Sequence, residues 1–335
     1  METHRAFISN LFFVLFISLF LAGCEDDPET FHLTVDMRPE GMGFVEGDGR
    51  FEAGQTVALT ATPESGHDFF RWMDQDETLG WEDVLEFTMP FEDVTLTAIF
   101  GPEDGTAGSM TDAEGNAYAT VFIAGTEWMA ENLRTATFRD GTPVPRGDQD
   151  TGLPAYDVYP HAEVDGIDSE EEMIALYGKH YNWYAATDPA GLCPEGWKVP
   201  GDADWHTLID HLKEGYDLHN GHADDPNGAG NALRSCRQIN SPLGGDCDTE
   251  EHPRWVSDDN HYGQDLFGFE ALPAGYGRPG EGFSFIGEFA SWWSSSEVAP
   301  GSANYALLYP NFGFIYYNQH PKYLGFNLRC IRKMP

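Results

Sequence analysis

Lysine is scarce in this chain: five of the 335 residues are lysine, and Lys and Arg together number 18 against 56 Asp and Glu. The formal net charge of -38 repels phosphate backbones, which excludes nucleic acid as a partner. Several motifs of chemistry are also missing. There is no C-x-x-C pair for zinc or dithiol redox work, no H-E-x-x-H, no P-loop, no G-x-G-x-x-G after a strand and no G-x-S-x-G. Metalloprotease, nucleotide-binding and serine-hydrolase readings therefore lack their usual carriers. His206 and His211 stand five apart, a spacing that does not share one helical face. Long apolar runs are lacking too. The one at the N-terminus, Leu11 to Leu21, is short for a bilayer span and sits where a secretory h-region belongs.

The end of that run carries a specific signal. Leu21-Ala22-Gly23-Cys24 resembles the bacterial lipobox, which implies a signal peptide over residues 1–23 and a mature chain that begins at a lipidated Cys24. Glu25-Asp26-Asp27 then opens an acidic linker over 24–30 and resembles a surface-export signal. The expectation is an exported protein, lipid-anchored to the outer membrane and exposed at the surface, with the membrane as a partner through its anchor. The low lysine content and the carboxylate excess resemble proteins of salty environments. Four cysteines remain, Cys193, Cys236, Cys247 and Cys330, an even set for an oxidising compartment. Three pairings are open.

Aromatics at 14% and 37 glycines point to a β-rich globular chain, and its length suffices for two domains. From 31 to 100 short alternating runs, such as Thr56 to Ala61 and Val94 to Phe100, are punctuated by Gly, Pro and Asp, which predicts a small all-β module. Its stretches "GQTVALTATPESGHDFFRW" and "FTMPFEDVTLTAIF" resemble the internalin-B-type B-repeat, through Gly54, Val57, Leu59, Ala61, Gly66, Phe69, Trp72, Met89 and Phe100. These are core and turn positions, so they imply fold and not ligand. Trp72 reads as core, with an exposed patch beside Trp81 as the alternative. Residues 101–110, "GPEDGTAGSM", read as a linker.

Over 111–335 six motifs occur in one order: "TDAEGNAYATVFIAGTEWMAENLR", "YGKHYNWYAA", "GLCPEGWKVPGDADWHTLIDHL", "GFEALPAGYG", "GEFASWWSSSE" and "GFNLRCIRK". Together they resemble the Fibrobacter succinogenes major paralogous domain, a family of bacterial extracytoplasmic domains related to C-type-lectin-like folds. The resemblance implies an α+β domain of few helices and many short strands. It also implies, by analogy with the outer disulfide of lectin-like folds, that Cys193 pairs with Cys330, leaving Cys236 with Cys247. The residues themselves agree on one helix: Trp205, Leu208, Ile209 and Leu212 fall at i, i+3, i+4 and i+7 behind Pro200-Gly201. A shorter acidic helix is expected over Ser169 to Leu176.

Candidate sites are few. A nucleophilic Cys193 would need a base such as His180, His206 or His211, and the closely spaced C-terminal cysteine pair of the formylglycine-generating relatives is absent. That departure weighs against an enzyme. Calcium is the one candidate cofactor. Asp224-Asp225-Pro226-Asn227 resembles the first calcium loop of lectins, with Asp224, Asp225 and Asn227 as ligands, but "WWSSSE" stands where the second motif is expected. Asp258, Asp259 and Asp265 form a second acidic candidate. Tyr309, Phe312, Tyr316 and Tyr317 offer rings on which a sugar can stack. The function expected is non-enzymatic binding of a surface glycan or protein, or adhesion, with a lectin-like enzyme or a structural envelope protein as alternatives.

Overall fold

The computed structural model describes residues 28–147, 152–221 and 227–333. The signal peptide, the lipobox with Cys24, and Asp224 and Asp225 lie outside the described residues.

Eight strands form the first module: β1 (Thr30–Arg38), β2 (Gly43–Glu46), β3 (Gly49–Glu52), β4 (Thr56–Pro63), β5 (His67–Asp74), β6 (Glu77–Gly80), β7 (Val84–Thr88) and β8 (Val94–Pro102). They make two sheets, ordered β3-β1-β8-β5-β6 and β2-β4-β7. Strict alternation explains the core. In β4 Val57, Leu59 and Ala61 turn inward while Ala58 faces solvent, and they meet Leu33, Trp72, Leu96, Ala98 and Phe100 from the other sheet. Trp72 is fully buried and its Nε1 donates to Glu82 O at 3.0 Å. The first and last strands pair in parallel, from Leu33 opposite Val94 to Arg38 opposite Ile99, so the two ends of the module close on each other.

Residues 101–110 are not a free linker. β8 runs on to Pro102, and β9 (Ala107–Thr111) already belongs to the second module, pairing with β10 (Ala117–Ile123). The small residues that read as flexible answer a packing demand. A Cβ on Gly108 would lie 2.5 Å from Thr120 Oγ1 and 2.8 Å from Glu127 Oε1, so only glycine fits against that buried hydrogen-bonded pair.

The second module is α+β. β9 and β10 continue through β11 (Thr126–Met129), and the order β19-β11-β10-β9 is completed by the last strand, β19 (Ile331–Lys333). Between β11 and β19 come β12 (Tyr156–Asp157), β13 (His180–Tyr181), the hairpin β14 (Ala274–Arg278) and β15 (Gly282–Ile286), and the sheet β16 (Ala290–Ala299), β17 (Ser302–Leu308) and β18 (Tyr316–Pro321). Four α-helices accompany them in the described residues: α1 (Glu170–Tyr177), α2 (Trp183–Ala186), α3 (Asp202–Tyr216) and α4 (Ala229–Leu233). The β16-β17-β18 sheet separates two cores. Trp293, Tyr305 and Leu307 face one, with Trp197 and Phe326, while Trp292, Ala306 and Leu308 face the other, with Trp205 and Leu212 of α3.

α3 starts where its sequence says it should. Asp204, three residues into the helix, accepts from Gly201 N at 2.8 Å and is held by Lys198 and Lys333 at 2.7 and 3.1 Å. Trp205, Leu208, Ile209 and Leu212 are buried on one face. α1 begins one residue after Ser169, whose hydroxyl accepts from Glu172 N at 3.1 Å.

The chain before β19 threads between the cores. Phe326, Leu328 and Cys330 pack into the first, and Ile331 into the second. Arg329 is buried as well, its Nη2 donating to Glu270 O at 2.7 Å, its Nε to Asn132 Oδ1 at 3.2 Å and its Nη1 to the carbonyls of Phe269 and Met129, with the guanidinium 4.4 Å from the Phe269 ring centroid. Cys193 is bonded to Cys330 and Cys236 to Cys247, the pairing that the lectin-like resemblance implies.

Candidate ligand-binding cleft

Strand alternation splits the aromatic run after β17. Tyr316 lies opposite Leu307 and faces the first core, whereas Tyr317 lies opposite Ala306 and faces the second. The hydroxyl of Tyr317 donates to Asp202 at the start of α3, and its ring meets His206 edge-on at 5.1 Å. Asp202 also accepts from Ser294 Oγ at 3.0 Å and Asn304 Nδ2 at 2.8 Å. Partial burial would raise the Asp202 carboxyl, but these donors outweigh it and hold the group below its usual range. Tyr317 therefore belongs to a structural network and not to a shared stacking surface with the other three rings.

Tyr309, Phe312 and Tyr316 do come together. Tyr309 meets Phe312 at 5.2 Å and Tyr316 at 5.7 Å, each edge-on. They adjoin rings that sequence reasoning did not single out. Phe289 packs edge-on against Tyr309 at 5.0 Å and stacks with Phe285 at 4.5 Å, and Tyr276 lies parallel to both. These rings border a cleft of about 130 Å³ lined by Tyr276, Phe289, Ser291, Tyr305, Tyr309 and His320, among others. Phe285 stands partly in solvent at 37% exposure, held at φ +66°, beside the half-buried Phe289. Such backbone is uncommon for a bulky side chain and marks a locally imposed geometry.

Two phenols and the imidazole that line this cleft are shifted toward their neutral forms, while the Arg278 guanidinium at its edge donates through Nε to the Tyr276 hydroxyl at 3.0 Å. Burial pushes the Tyr305 and Tyr309 phenols up. Burial, followed by the nearby Arg278 guanidinium, pushes His320 down. A slot of stacked rings edged by neutral hydroxyl and imidazole groups can cover a sugar face while exchanging hydrogen bonds with its hydroxyls.

The other candidate residues lie apart from this cleft. Cys193 is in a disulfide and His206 is exposed on α3. His180 is fully buried, its Nε2 3.1 Å from Ala274 O, and burial lowers it to about 4. Asn227 donates to Asp217 O at 3.2 Å. Asp258 Oδ1 accepts from the Asn260 and His261 amides at 2.9 and 2.8 Å, while Asp265 Oδ1 accepts from Glu270 N at 2.8 Å. Among the described residues no three His, Cys, Asp or Glu side chains are grouped to hold a metal ion, so Asp258, Asp259 and Asp265 do not form the cation site their spacing suggested. Asp258 serves a loop turn, and Asp265 lies towards Arg329.

Comparison with known families gives the same two-part division. Residues 121–332 match the Fibrobacter succinogenes major domain, and residues 33–104 match the divergent InlB B-repeat domain. The chain belongs to the Fibrobacter succinogenes major domain family. No curated protein and no solved structure matches it. The two domains together are those of a surface or envelope protein. Tyr276 and Phe289 stand inside two of the family's motifs, "GFEALPAGYG" and "GEFASWWSSSE". Their place in an aromatic cleft had no periodic signal, because strands from distant parts of the chain bring them together.

Proposed function

We propose that this is an exported, lipid-anchored envelope protein of the outer membrane, in which the B-repeat module carries a major domain that binds a neutral glycan without catalysis. The observation that carries the reading is the aromatic cleft between Tyr276, Phe289, Tyr305, Tyr309 and His320, whose lining side chains include no carboxylate and no ammonium. Aromatic faces recognise the apolar side of a pyranose, and neutral donors and acceptors suit its hydroxyls. A large negative field elsewhere keeps the surface hydrated and leaves recognition to local contacts.

A glycan array probed with the full chain in detergent, with and without calcium, tests this. Binding to a defined set of neutral glycans is expected, with Tyr309→Ala weakening it roughly tenfold through loss of one stacking partner. Silence across the array, or binding that Tyr309→Ala leaves unchanged, would remove the cleft from the reading.

A further inference from the structure

A second cleft, of about 200 Å³, lies where the two modules meet, and shares no lining residue with the aromatic one. Its lining includes Arg38, Arg71, Met73, Asp76, Thr126 and Lys333. Three cations against one carboxylate is an unusual local balance in a chain with 18 basic and 56 acidic residues.

Arg71 is the unusual member. A β-bulge in β5 between Phe69 and Arg71 breaks the alternation, so that Phe70, Arg71 and Trp72 are all buried in succession. Trp72 fills the repeat core, while Phe70 and Arg71 turn to the second module. There they meet the two-residue turn Ala124-Gly125 between β10 and β11, whose φ angles of +56° and +68° are those of a tight hairpin. Arg71 Nη1 donates to Ala124 O at 3.2 Å, yet its Nε is buried with no hydrogen-bond partner. The side chain is 6% exposed. It takes part in no ion pair among the described residues. The carboxylate whose field reaches it is Asp204, already held by Lys198 at 2.7 Å and Lys333 at 3.1 Å. Burial lowers Arg71 only to about 10, so it keeps its charge at neutral pH. A buried, under-paired guanidinium is costly unless something compensates it.

Arg38 and Lys333 are more exposed. Arg38 is 3.9 Å from Asp36 with both side chains more than half in solvent, a weak pairing. Arg38 is free to turn toward a ligand, and Lys333, whose ammonium reaches Asp204 at 3.1 Å, keeps more than half of its side chain in solvent at the rim. The global field repels polyanions, so the matching partner carries its negative charge singly. We propose that this cleft binds one oxyanion group, a carboxylate or a sulfate, with Arg71 as the buried anchor and Arg38 and Lys333 as the rim; that the group is carried on an otherwise neutral sugar rests on the glycan-binding reading above.

Saturation-transfer NMR on the full chain in detergent, at low salt and in the Tyr309→Ala background that weakens the aromatic cleft, tests this. Glucuronate, glucose 6-sulfate and glucose are the probes. Both charged sugars are expected to bind, to displace each other and to be displaced by inorganic sulfate, with glucose far weaker. Arg38→Gln and Lys333→Gln are each expected to weaken them roughly threefold, as exposed charges do, and the pair together about tenfold. Charged sugars that bind no better than glucose would overturn the proposal. So would a double variant that keeps the parent affinity. Because the Tyr309 site is weakened alike for every probe and variant, either failure leaves the aromatic-cleft reading untouched.

Discussion

Asp104 and His211 meet Oδ2 to Nε2 at 2.5 Å across 107 positions of sequence, and their contact ties the end of the B-repeat module to α3 of the major domain. Tyr216 OH donates to the same oxygen at 2.8 Å, and Asp104 Oδ1 accepts from Ala124 N at 2.9 Å in the hairpin turn. The Phe70 and Trp81 rings flank the imidazole at 5.5 and 5.8 Å. One carboxylate thus gathers three donors from the second module where the two modules join.

Asp104→Ala is expected to loosen that junction. Its side chain is 2% exposed, so its removal strands partly buried donors and costs about 1–3 kcal/mol. Urea denaturation should show the loss, and small-angle scattering should show an expanded particle. An unchanged midpoint and radius of gyration would mean that apolar contact alone joins the modules.

Asp265 sets a pH dependence of stability with a definite sign. Burial first, and the Glu270 carboxylate beside it, raise Asp265 from 3.8 to about 7. The native state then holds a proton that the unfolded state has lost between those values. Its stabilising contribution is complete below 3.8 and is lost as pH rises to about 7. Asp202, Asp204 and Asp258 are lowered and slope the opposite way, so the test is a difference. Relative to Asp265→Asn, the parent chain should lose stability between about pH 4 and pH 7 in urea melts. Parallel pH profiles for the two proteins would refute it.

Much of the fold was legible because it rests on local pattern. The β4 alternation placed Val57, Leu59 and Ala61 in a core, and the 3.6-residue period placed Trp205, Leu208, Ile209 and Leu212 on one buried face. The linker reading of 101–110 failed because a composition of Gly, Ser and Thr looks alike whether it serves flexibility or a tight fit, and Gly108 serves the fit. The candidate site was legible only in part. Tyr309, Phe312 and Tyr316 lie close in sequence, whereas Tyr276, Phe285 and Phe289 join them through the β14-β15 hairpin and the start of β16. Tyr317 left the set through a strand period of two, which sends neighbours to opposite faces.

The two disulfides should open in sequence. Cys193 and Cys330 are 3% and 0% exposed, while Cys236 and Cys247 are only half-buried. Thiolate attack requires access, so mild reductant near pH 8 is expected to open Cys236–Cys247 first. Stability should respond in the other order. In the chain-entropy view the bridge of separation 137 contributes roughly 4–5 kcal/mol and that of separation 11 about 3. Peptide mapping against reduction time reports the first order, and urea melts of the double Cys→Ser variants the second. Simultaneous release, or equal losses, would contradict this account.

Salt should stabilise this protein, and the sign comes from a competition between two electrostatic effects. Exposed ion pairs such as Arg146–Glu170, at 2.6 Å, weaken as salt screens them, but each is worth under about 1 kcal/mol. Against them stands the mutual repulsion of carboxylates that have no cation to meet, in a chain of net charge -38. Glu170, Glu171 and Glu172 are consecutive in the first turn of α1, and only the first of them pairs with Arg146. Compaction brings such groups closer than the unfolded chain does, so screening relieves the folded state more. Thermal melts in dilute buffer and in concentrated KCl are expected to differ by at least about 5 °C, with the higher midpoint in salt. Equal midpoints would mean that repulsion contributes little to the balance, and a lower midpoint in KCl would mean that ion pairs dominate it.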